Sequence, residues 1–114
     1  MIRRANELNI TVNEGVRGGP GKVAMAALGK EDIMNNDKLF PIIKLEKGCG
    51  IGYHDHVTNS EIYFITKGSA LYNDNGVETT VSAGDVTICP PGEGHGITNV
   101  SDEICEYIAV ILEK

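Results

Sequence analysis

All three histidines of this 114-residue chain fall in two short segments that can do chemistry together. The first is His54-Asp55-His56, followed four residues later by Glu61. The second is Pro90-Pro91-Gly92-Glu93-Gly94-His95. Three imidazoles and one carboxylate form a complete set of protein ligands for a divalent transition metal. In a six-coordinate ion they leave two exchangeable positions for water, a bidentate ligand or dioxygen.

The elements around these residues must bring them together. On a strand, residues two apart point to one face, so a regular strand over Gly50–His56 projects the imidazoles of His54 and His56 side by side, with Gly50 and Gly52 on the same face. Val57-Thr58-Asn59-Ser60 turns the chain and returns Glu61 beside them, while His95 arrives from a distant strand. Short apolar runs punctuated by glycine predict strands over 22–28, 39–46, 50–56, 61–67, 69–73, 77–81, 85–89, 95–99 and 104–112. Asn75-Gly76 is a two-residue hairpin signal. Only 31–36 has room for a turn or two of helix. This pattern predicts an all-β antiparallel sandwich or barrel. Alternation places Tyr63 and Ile65 on the face of Glu61, and Ile62 and Phe64 on the opposite face. Those two are apolar for open solvent and predict a homodimer interface.

Composition narrows the functional classes. The length suits a single domain, with 41% hydrophobic and 23% charged residues. A net charge of −6, with no basic patch or aromatic platform, argues against nucleic acid and anionic membranes as partners. No run is apolar enough to span a bilayer, and Arg3-Arg4 lacks the apolar stretch of a signal peptide, so a cytoplasmic setting is expected. Cys49, Cys89 and Cys105 form no C-x-x-C pair and read as small apolar residues rather than ligands.

The two histidine segments carry a family resemblance. Gly48-(five)-His54-x-His56-(four)-Glu61-(six)-Gly68 resembles the first cupin motif at every specified position. Gly84-(five)-Pro90-x-Gly92-(two)-His95-(three)-Asn99 resembles the second. The short spacer from Ser69 to Ala83 is similar to that of small single-domain cupins. The resemblance implies one cupin domain over 1–114, folded as a double-stranded β-helix, a jelly-roll barrel. It also implies that His54, His56, Glu61 and His95 hold the metal. The glycines suit turns and bulges, and Asn99 suits a local turn rather than the ion.

A narrower likeness lies in Arg17-Gly18-Gly19-Pro20-Gly21 and Leu71-Tyr72-Asn73-Asp74-Asn75-Gly76, which resemble the small bacterial cupins regarded as oxalate decarboxylases or oxalate binders. It implies Mn(II) and a small carboxylate ligand, although Fe, Ni or Zn suit the same donor set. Arg17 then reads as a carboxylate-binding fork and Tyr63 as a hydroxyl inside the barrel, the two candidates for catalytic roles. Glu93 reads as a turn residue near the mouth. The expected function is a metal-dependent enzyme acting on a small carboxylate. The alternatives are a non-catalytic binding or sensing module, an Fe(II) dioxygenase and a sugar isomerase. The mobile acidic lid of the two-domain oxalate decarboxylases has no counterpart in this sequence.

Overall fold

The computed structural model describes residues 1–33 and 40–113. Among the described residues ten strands run in chain order: β1 (Asn9–Glu14), β2 (Lys22–Ala27), β3 (Ile42–Leu45), β4 (Gly50–Asp55), β5 (Asn59–Lys67), β6 (Ser69–Asp74), β7 (Val77–Ser82), β8 (Val86–Cys89), β9 (Gly94–Thr98) and β10 (Cys105–Glu113). They form a six-stranded sheet, ordered β1-β2-β3-β10-β5-β8, and a four-stranded sheet, ordered β4-β9-β6-β7. Every pairing is antiparallel. This is the all-β double-stranded β-helix that the two motifs imply.

Alternation along the strands builds the core between the sheets. From the larger sheet come Val23, Ile43, Leu45, Tyr63, Ile65 and Tyr107. They meet Ile51, Ala70, Tyr72, Val81 and Ile97 from the smaller one. The turns follow their residues. Asn75 (φ 49°) and Gly76 (φ 98°) take the left-handed backbone of a tight hairpin between β6 and β7. Asn99 is fully buried and donates to the carbonyls of Leu45 (2.8 Å) and Glu103 (2.7 Å), while its Oδ1 accepts from Ser101.

Three features differ from the sequence expectation. The chain has an additional edge strand, β1, whose residues are all exposed, so no buried face marks it in the sequence. The helical segment expected at 31–36 is, in its described part, one 3-10 turn over Lys30–Ile33; its remainder and the start of the strand expected at 39–46 lie outside the described residues. Strict alternation over 50–56 does not hold. The register of β4 against β9 shifts between Ile51 and His54, and Ile51 turns into the core. A bulge of this kind re-aims the side chains that follow it.

Candidate metal centre

Glu61 comes from β5 of the larger sheet, whereas His54 on β4 and His95 on β9 face each other as directly paired residues of the smaller one. His56 lies just past β4. Its amide donates to the Glu93 carbonyl (2.9 Å) and its carbonyl accepts from the Gly92 amide (2.7 Å), so the loop of the second motif clamps the end of the first. The centre therefore bridges the two sheets at one end of the sandwich.

The four ligand-type atoms lie within 4.8 Å of one another. Glu61 Oε1 is 2.9 Å from His95 Nε2, 3.3 Å from His56 Nε2 and 3.7 Å from His54 Nε2. The Nε2 atoms of His56 and His95 are 3.1 Å apart. His95 has no exposed surface, and His56 and Glu61 are buried.

The outer nitrogens explain what this convergence needs. His54 Nδ1 lies 2.8 Å from the Gly52 carbonyl, which can only accept, so that nitrogen carries the proton. His56 Nδ1 lies 2.7 Å from Asn59 Oδ1, again an acceptor, and His95 Nδ1 lies 2.7 Å from the Tyr72 hydroxyl. In these tautomers His54 and His56 turn Nε2 lone pairs inward, where they meet His95 Nε2 and the Glu61 carboxylate. Acceptors gathered this closely repel one another unless a cation sits among them, so the donor set fits a divalent metal.

Electrostatics agree. Burial pushes the Glu61 carboxyl up, but the close imidazoles of His54, His95 and His56 outweigh it, and the net shift is strongly downward, holding Glu61 as carboxylate. Burial pulls His95 below the ordinary imidazole value against the opposing pull of Glu61, favouring the neutral, ligating form. Tyr63 is 1% exposed, donates to Glu61 Oε1 at 3.2 Å and stacks on the His95 ring at a centroid distance of 4.9 Å. Burial pushes its hydroxyl well up, so it remains a donor.

A cavity of about 550 Å³ opens onto the centre, lined among others by Arg17, His54, His56, Asn59, Glu61 and Tyr63. Arg17 is exposed, has a left-handed backbone (φ 53°) and makes no hydrogen bond or ion pair within the described residues. Its position follows from glycine packing on glycine. A Cβ at Gly52 would collide with the Arg17 carbonyl, and one at Gly19 would stand 2.5 Å from the Gly52 amide nitrogen. Only bare backbone lets the 15–21 loop lie on β4 this closely.

The structure thus places five of the six singled-out residues, Arg17, His54, His56, Glu61 and Tyr63, on one cavity, and the sixth, His95, behind them against Glu61. Glu93 does not line it. Burial raises the Cys89 thiol to about 11 and also raises Cys105, so both stay protonated, apolar-type residues. Asn59 and Tyr72 were not among the expected site residues. Asn59 had a signal, since it is the one amide in the four-residue turn between His56 and Glu61. Tyr72 had none, because its contact depends on the pairing of β6 with β9.

Known proteins are similar to this chain in sequence and fold. A family profile described as a cupin domain matches residues 41–111. An oxalate-binding protein of Thermotoga maritima is 38% identical over 113 residues, covering 98% of this chain and 93% of its own. A crystal structure from the same organism, described as a predicted oxalate decarboxylase, superposes with a TM-score of 0.91 at 36% identity over the full length of both chains. A cupin 2 conserved barrel domain protein of Salinispora arenicola matches at a TM-score of 0.77 and 24% identity, covering 99% of this chain and 88% of its own, a likeness of fold. With both motifs, the double-stranded β-helix and these relatives in agreement, the chain belongs to the cupin family.

Proposed function

We propose that this cupin holds a divalent transition metal, Mn(II) first among the candidates, through His54, His56, Glu61 and His95, and that it acts on a small carboxylate bound in the adjoining cavity. The observation that carries the reading is the convergence of three inward-facing imidazole nitrogens on a buried carboxylate. When bound, the ion supplies Lewis-acid polarisation of the ligand's oxygens. Arg17 supplies the guanidinium fork at the cavity wall, matched to a carboxylate and unengaged by other described residues. Tyr63 holds its proton on the Glu61 side and fixes the orientation of that carboxylate.

The name of the Thermotoga relative favours a second reading, in which the same site binds oxalate or a similar acid without turning it over. A cytoplasmic homodimer completes the proposal.

Metal analysis of the purified protein tests it. Wild type is expected to carry near-stoichiometric metal, and His54→Ala and Glu61→Ala to lose it while remaining folded by circular dichroism. Full metal occupancy in His95→Ala would overturn the ligand set. Product formation from a panel of small carboxylic acids separates the enzyme from the binder.

A further inference from the structure

The cavity is much larger than a bare dicarboxylate needs, and its composition is lopsided. A two-carbon diacid takes the room of three or four waters, on the order of 100 Å³ at about 30 Å³ per water. The cavity measures about 550 Å³. Its polar groups gather at the end that holds His54, His56 and Glu61, and the register of the larger sheet shows what lies beyond them. Ile111 on β10 pairs directly with Glu61, and Ala109 pairs with Tyr63. Farther across the same face, Met25 on β2 pairs with Ile43 on β3. All four side chains line the cavity, joined by Val16 and Ile51 from the opposite side. Met25 lies three strands across from β5, and its register row, through Ile43 and Tyr107, reaches β5 at Ile65, farther along the strand from Glu61. An apolar wall therefore starts beside the metal-binding carboxylate and runs away from it. Val16 and Met25 are only partly buried and pack against the core from the cavity side.

We infer that the ligand of this site is an amphipathic monocarboxylic acid, with a chelating head such as a 2-oxo or 2-hydroxy acid at the metal end and an aliphatic tail along Ile111, Ala109, Ile43 and Met25. The inference rests on the proposed metal–carboxylate reading and narrows it, since oxalate leaves this wall facing water. Arg17 and the histidine cluster take the charged end, and each methylene of the tail displaces water from apolar side chains.

Isothermal titration calorimetry tests this on the full chain loaded with Mn(II), against oxalate, pyruvate, 2-oxobutanoate, 2-oxopentanoate and 4-methyl-2-oxopentanoate. The dissociation constant is expected to fall about fourfold for each methylene added, with an increasingly negative heat-capacity change. Ala109→Leu is expected to flatten that series by filling the tail end. The wild-type slope decides the matter even if this variant does not fold. A flat series, or oxalate bound more tightly than every longer acid, overturns the tail site and leaves the metal–carboxylate reading standing. Failure to load metal, or loaded protein that binds none of the acids, overturns both.

Discussion

Each imidazole of the centre is held from behind by a different group: a backbone carbonyl for His54, a side-chain amide for His56 and a phenol for His95. These partners fix which nitrogen faces inward, and removal of such a partner in metal sites costs about 10- to 100-fold in metal affinity. Tyr72→Phe keeps the ring in the core and removes only the hydroxyl, so its expected effect is a loss of that size with the fold retained. A chelator-competition titration reads it, and unchanged affinity would show that His95 is positioned without Tyr72. The four ligand types were legible in the sequence because their spacing is local within each motif. Tyr72 was not, because it meets His95 through strand pairing across 23 residues.

At the scale of elements, the site depends on one sheet meeting the other. Strand β5 brings Glu61 from the larger sheet to histidines on β4 and β9, and the bulge in β4 turns both Ile51 and His54 toward the cavity. Alternation read from the sequence placed both imidazoles on one face, as observed, but not Ile51, because a bulge depends on the partner strand rather than on the bulged residues alone. Strand β1 was illegible for a different reason: an edge strand with no buried residue lacks the one-sided pattern that marks a strand. The glycine contact between the 15–21 loop and β4 yields a prediction at this scale. Gly52→Ala forces its methyl group into the Arg17 carbonyl, and an overpacked contact of this kind costs about 1–3 kcal/mol. A lowered thermal midpoint is expected, together with weaker carboxylate binding as Arg17 shifts. An unchanged midpoint would mean that the loop lifts away without cost.

For the whole molecule, the outer surface of the larger sheet is the feature to explain. Ile10, Ala26, Ile42, Ile108, Phe64 and Val86 are successive register partners, so one unbroken apolar row crosses all six strands. Phe64 is 43% exposed, Val86 49% and Ile10 63%. The alternation of Ile62 and Phe64 hinted at this face, and its full width depends on a strand order that no local pattern encodes. A self-complementary pairing of such sheets accords with the proposed homodimer. Sedimentation equilibrium at micromolar concentration is expected to give a dimer, and Phe64→Asp a monomer. A strictly monomeric wild type would remove the proposal.

The burial of the centre also has a temporal side. His95 is sealed from solvent, and the remaining three donors face the same cavity that is to receive the ligand. Ion and ligand are then expected to share the doorway of this cavity, which sets an order of events in which the ion enters first and leaves last. A saturating ligand is expected to act as a stopper, slowing the escape of the ion to a chelator in proportion to its own residence time.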